Sequence, residues 1–209
     1  MCSFLYFVFL HKYVWVYLSL LERLRVFLEG FLRPFASFMI RLHISPNMLT
    51  FLGLLFALCS SIQIIFGNAI YGGILILISG FFDVMDGFVA RMIGSSSSLG
   101  EFLDSVFDRF SDALIISSVI LSGMCDLPLG LLVLVGGFMI SYIRCKGECF
   151  GLRLAGVGLA ERSERLIIIS AGLIFGVIQL SIYLLSTLVI VTVVERFYRV
   201  VRFLRGGFS

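Results

Sequence analysis

Residues 81–112 read FFDVMDGFVARMIGSSSSLGEFLDSVFDRFSD. Asp83 and Asp86 stand three apart, and Asp104 and Asp108 stand four apart, spacings that put each pair on one face of a helix. The polar run at residues 94–98 is a flexible turn, which lets two helices return antiparallel with their acidic faces adjacent. Gly87, directly after Asp86, leaves room for a ligand to approach the backbone or for a neighbouring helix to pack closely.

Outward from this polar centre the chain is strongly apolar. Hydrophobic residues make up 60% of 209, charged residues only 14%, and the mean hydropathy is +1.10, which exceeds what a water-soluble domain can bury. A membrane helix needs about 20 mostly apolar residues. Six runs meet that need, at 48–67, 69–92, 100–123, 127–147, 164–181 and 183–203, and they predict an all-α integral membrane protein with a six-helix bundle at 46–209. Ser45, Pro46 and Asn47 mark the start of the first of these helices. Residues 21–45 mix Glu22, Arg23, Arg25, Glu29, Arg33 and Arg41 with Leu, Phe and Val, as an amphipathic helix lying in the membrane interface does, with Pro34 as a bend. Residues 1–20 form an apolar N-terminal extension without the basic start and small-residue cleavage site of a signal peptide.

Charge placement sets the expected orientation. All 16 Lys and Arg fall in the N-terminal region, at the turn between the second and third helices, around residues 144–165, or at the C-terminus. The turns near Gly67 and Cys125 hold none, so the positive ends predict cytoplasmic N- and C-termini and a cytoplasmic active site in the cell membrane. The net charge of +3 is juxtamembrane and interleaved with acids, which suits anionic headgroups of the bilayer and gives no support to nucleic-acid binding. The five cysteines lack zinc-ligand spacing.

Four carboxylates gathered in one place raise one another's pKa and resist burial unless cations compensate them. Arg91 and Arg109 are too few to neutralise Asp83, Asp86, Asp104, Asp108 and the nearby Asp112, so a divalent ion is expected. An all-oxygen ligand set suits Mg²⁺ or Mn²⁺ rather than zinc. A divalent-ion transporter would use acids too, but would spread them through the bilayer depth.

The whole pattern, D-x2-D-G-x2-A-R-x8-G-x3-D-x3-D, is met by Asp83, Asp86, Gly87, Ala90, Arg91, Gly100, Asp104 and Asp108. It resembles the defining motif of the CDP-alcohol phosphotransferases, and the resemblance runs from about residue 21 to the C-terminus. It implies transfer of the phosphatidyl-type group of a CDP-activated lipid to the hydroxyl of a small polar alcohol, with release of CMP. Carried over by motif position, Asp83, Asp86, Asp104 and Asp108 would hold two divalent ions, and Asp108 would also be the general base. Gly87, Arg91 and Ser97 would contact the nucleotide and its phosphates, together with Asn47 and Thr50 of the first helix. Asp112 matches no ligand position, and the family implies a homodimer.

A second polar group comprises SYIRCK at residues 141–146 and GLAERSERL at residues 158–166, with Arg196 in the last helix. Cations at helix ends serve orientation, but Arg also recognises phosphate in a bidentate manner, so a phosphorylated acceptor is the functional reading. These stretches are similar to the family branch that uses inositol 1-phosphate, the phosphatidylinositol-phosphate and archaetidylinositol-phosphate synthases. That resemblance implies that Ser141, Arg162 and Arg196 hold the acceptor phosphate, with Arg144, Lys146 and Arg165 nearby. The chain differs in having Cys145 and Gly147 where small alanines are commoner and Glu195 where Gln is usual, and no change removes a cation. Glycerol 3-phosphate is the alternative acceptor, and diacyl and archaeol tails remain equally open.

Overall fold

Ser45 caps the first long helix by accepting a hydrogen bond from the Met48 N–H at 3.3 Å, and Pro46 occupies the first helical position, where its missing N–H costs nothing. The computed structural model describes residues 30, 32–94 and 97–206. The helices are α1 (residues 32–41), α2 (Pro46–Ile65), α3 (Ala69–Ile93), α4 (Ser98–Leu121), α5 (Leu127–Cys149), α6 (Arg162–Ile174) and α7 (Ile178–Arg205). There is no strand among the described residues. The apolar extension at 1–20 and residues 21–29 and 31 of the expected interfacial helix lie outside the described residues. Within α1, Leu32 and Ala36 are buried against Leu49, Met85 and Val89 of α2 and α3.

Two serine hydroxyls cross between α2 and α3. Ser60 donates to the Gly72 carbonyl and Ser79 to the Gly53 carbonyl, each at 2.8 Å. Interhelical bonds of this kind satisfy polar groups that hydrocarbon could not, and they fix the register of the pair. The main core joins residues of α2 to α7, among them Ile64, Ile76, Ile115, Val133, Ile169 and Ile182. Helix α3 packs on α6, and α5 on α7. At the end of the bundle where α5 begins, Asp126 Oδ2 accepts from Gln179 Nε2 at 2.7 Å and from the Tyr183 hydroxyl at 3.0 Å, tying the α4–α5 turn to α7.

Among the described residues four helices, α2, α3, α5 and α7, are long and apolar enough to cross a membrane. Helix α4 has the length, at 24 residues, but its first 15 residues carry Glu101, Asp104, Asp108, Arg109 and Asp112. The fifth expected run, 164–181, is corrected: α6 ends at Ile174 after 13 residues, which is roughly 20 Å of helix. The chain turns at residues 175–177, where Gly176 adopts φ +70 and the Val177 N–H closes on the Gly172 carbonyl at 2.8 Å. A left-handed residue after a helix is a glycine position because a Cβ would crowd the backbone. Residues 178–181 therefore belong to α7, which runs for 28 residues.

Candidate active site

The second half of α3 and the first half of α4 bring three of the four expected acids together. Carboxylate oxygens of Asp83, Asp104 and Asp108 lie within 4.8 Å of one another, all half-buried. Asp86 stands apart from these three. It is 6% exposed and its Oδ2 has no hydrogen-bond partner. Thr50 of α2 lies beside Asp86, and the Thr50 hydroxyl also approaches the Pro46 carbonyl at 3.1 Å. An orphaned, buried carboxylate oxygen beside three converging carboxylates is a donor set short of cations. Hard oxygen ligands in this number fit Mg²⁺ or Mn²⁺.

Part of the missing charge comes from α6. The Arg162 Nη1 lies 2.8 Å from Asp108 Oδ1 and also meets Asp83 Oδ2, while its Nε is 3.6 Å from Asp112 Oδ1. Arg109 stays mostly with its own helix, donating to the Ser105 carbonyl at 2.6 Å, and its Nη1 is 3.8 Å from Asp108 Oδ2. Neither Asp86 nor Asp104 forms an ion pair among the described residues. Asp112 pairs with both Arg162 and Arg165, in keeping with its absence from the ligand positions of the motif.

Residues expected around the nucleotide gather at the same end. Ser97 caps α4 by accepting from the Gly100 N–H at 3.1 Å. Asn47, in the first turn of α2, is so close that a Cβ on Gly100 would stand 3.2 Å from its Oδ1. On α3, Arg91 sits in the last turn, its guanidinium folded toward Gly87.

The six acceptor-site residues separate into three places. Ser141 lines a small cavity with Arg109, Asp112 and Gly137, and Arg162 and Arg165 approach the same acids. Arg165 is 3% exposed, and its Nη1 donates to the Ala160 carbonyl at 2.8 Å. Arg144 pairs with Glu148 at 2.9 Å on the exposed end of α5, where Lys146 is exposed too. Arg196 is buried at 2% exposure and satisfied by protein: Nε donates to the Val157 carbonyl at 2.8 Å, Nη1 to the Ile140 carbonyl at 3.0 Å and Nη2 to Glu161 Oε1 at 2.8 Å. Glu161 is the residue that sequence reasoning passed over. Its one signal was its position directly before Arg162.

A sequence profile described as CDP-alcohol phosphatidyltransferase matches residues 43–194. The chain belongs to this family. Among curated relatives of this phosphatidyltransferase, the archaetidylinositol phosphate synthase of Pyrococcus horikoshii is 38% identical over 79% of the chain and 88% of its own length. The phosphatidylinositol phosphate synthase of Streptomyces avermitilis is 37% identical over 69% of the chain and 62% of its own length. The crystal structure of Mycobacterium tuberculosis phosphatidylinositol phosphate synthase with CDP-DAG bound superposes with a TM-score of 0.72 at 28% identity, covering 81% of this chain and 92% of that one. The same enzyme in complex with manganese and citrate gives a TM-score of 0.72 at 29% identity, over 80% and 87%. This phosphatidyltransferase is thus an all-helical, multi-pass membrane enzyme, and its acidic cluster accords with divalent-metal use.

Proposed function

We propose that this phosphatidyltransferase moves the phosphatidyl-type group of a CDP-lipid to the hydroxyl of inositol 1-phosphate and releases CMP. The observation that carries the reading is the contact of Arg162 with Asp83 and Asp108, which puts a phosphate-binding cation beside the metal-binding acids. The acceptor oxygen bonds to the lipid-side phosphorus of the pyrophosphate. The bond from that phosphorus to the oxygen bridging to CMP breaks, CMP leaves with the electron pair, and the hydroxyl proton passes to Asp108.

Asp83, Asp86, Asp104 and Asp108 would hold two divalent ions, which supply charge neutralisation at the pyrophosphate during in-line displacement. Asn47, Thr50, Gly87, Arg91 and Ser97 would seat the nucleotide. Ser141, Arg162 and Arg196 would receive the acceptor phosphate, with Arg144, Lys146 and Arg165 nearby. Such a set serves any phosphorylated alcohol, so glycerol 3-phosphate is the rival acceptor.

The proposed topology has six crossings, α2 to α7, with α4 and the short α6 inside the bundle, an interfacial helix before α2, both termini cytoplasmic in the cell membrane, and a homodimer as the assembly. The clustering of acids at the α3–α4 end favours a one-sided active site over an ion path.

CMP release tests the activity, with CDP-diacylglycerol and CDP-archaeol each offered with Mg²⁺ and a panel of acceptors. Turnover with inositol 1-phosphate well above glycerol 3-phosphate and serine is expected. Preference for glycerol 3-phosphate would reassign the acceptor, and no turnover with any alcohol would reject the transferase reading.

A further inference from the structure

Glu161 holds the N-cap position of α6, yet its side chain makes no capping bond to that helix. An N-cap carboxylate ordinarily accepts from the free N–H groups of the first turn. Here Oε1 accepts instead from Arg196 Nη2 at 2.8 Å and from the Gly156 N–H at 3.0 Å. The carboxylate thus serves α7 and the preceding loop, while the Glu161 backbone carbonyl opens α6 by accepting from the Arg165 N–H at 3.1 Å.

The loop it serves is fixed from several sides. Arg196 also holds the Val157 carbonyl, Thr192 Oγ1 accepts from the Leu159 N–H at 3.1 Å, and Arg165 holds the Ala160 carbonyl. Gly158, at φ +103, lies so close to Thr192 that an added Cβ would stand 2.3 Å from its methyl. Most of these bonds converge on the two residues before Arg162 or on the arginine that holds them. Arg162, the next residue, is the one that reaches Asp83 and Asp108.

We infer that Glu161 is a positioning residue: by clamping Arg196 and the 156–161 loop it sets where Arg162 stands beside the reacting hydroxyl. This inference rests on the acceptor assignment above. Glu161 then need not touch substrate itself. Displacement of a positioning cation by an ångström is enough to cost about a hundredfold in rate.

Steady-state kinetics of Glu161→Ala and Glu161→Gln in the full-length enzyme test it, with acceptor and CDP-lipid varied separately. For Glu161→Ala, an acceptor KM raised about tenfold or more and a reduced kcat are expected, with the CDP-lipid KM within about twofold. Gln keeps an accepting oxygen, so Glu161→Gln is expected to recover most of the acceptor KM, and if the alanine variant does not fold, Glu161→Asp, whose shorter side chain cannot reach both Arg196 and the Gly156 N–H, takes its place with the same expected rise. An unchanged acceptor KM in both variants, or an equal rise in both KM values, would overturn the positioning role while leaving the transferase reading intact. Absence of turnover in the unmodified enzyme with every phosphorylated acceptor would remove that reading and this role with it.

Discussion

Arg162 Nη1 stands 2.8 Å from Asp108 Oδ1, so the first residue of α6 and the last acid of the α3–α4 motif share one charged contact. The two roles proposed above, metal retention and acceptor recognition, therefore meet at a single carboxylate.

In the proposed reaction Asp108 takes the acceptor proton. Asp108→Asn keeps the shape and removes the basic oxygen, and turnover is expected to fall by about 10²–10⁴. CDP-lipid binding, measured calorimetrically with Mn²⁺, stays within a few-fold because Asp83, Asp86 and Asp104 remain. Equal loss of binding and turnover would make Asp108 chiefly a metal ligand.

Arg162 occupies Asp83 and Asp108, two of the proposed metal ligands, its side chain paired with both carboxylates. Removing a like charge a few ångströms from a bound cation strengthens cation binding. Arg162→Gln is expected to bind Mn²⁺ about tenfold more tightly while losing acceptor affinity, read from free Mn²⁺ by electron paramagnetic resonance. Weaker Mn²⁺ binding would show that Arg162 helps to organise the acids.

Arg196 supports the loop from within. Arg196→Ala leaves the Val157 and Ile140 carbonyls and Glu161 without their donor, which is expected to cost roughly 1–3 kcal/mol. The loss stays below that of a fully buried broken pair because the Glu161 side chain is 30% exposed and can be hydrated. The acceptor KM should rise more than the CDP-lipid KM. Thermal unfolding in detergent and the two KM values check both parts, and an unaltered acceptor dependence would detach Arg196 from the acceptor side.

Gly176 ends α6 in the left-handed region. Gly176→Ala is expected to lower stability by about 1–2 kcal/mol, because an L side chain is strained at that φ. A denaturation series that showed no loss would mean that the α6–α7 turn relaxes without cost.

Local chemistry made much of this molecule legible before any coordinates. The Ser45-Pro46 start of α2 and the shared face of Asp104 and Asp108 follow from capping and helical periodicity, and these act within a few residues, whereas α3 and α4 meet through α2, which packs on both. The α6–α7 boundary did not follow, because hydropathy runs without a gap across 166–192 and only Gly176 interrupts it sterically. Pairings such as Arg162 with Asp83, or Arg196 with Ile140, join residues far apart in the chain. They depend on how α6 seats on α3 and α7 on α5, and no spacing rule encodes that. The basic residues of the acceptor set were readable as a group. Their division into a cation at the acids, an exposed pair and a buried brace was not.

The Ser60 and Ser79 hydroxyl bonds have a mechanical consequence. They rivet α2 to α3 at two levels, so Asp83 and Asp86 ride on a splinted hairpin with little freedom to yield. Helix α6 has only 13 residues and a glycine joint behind it. Arg162 at the head of that helix therefore meets, in Asp83, an acid whose height along the bundle is set by α2.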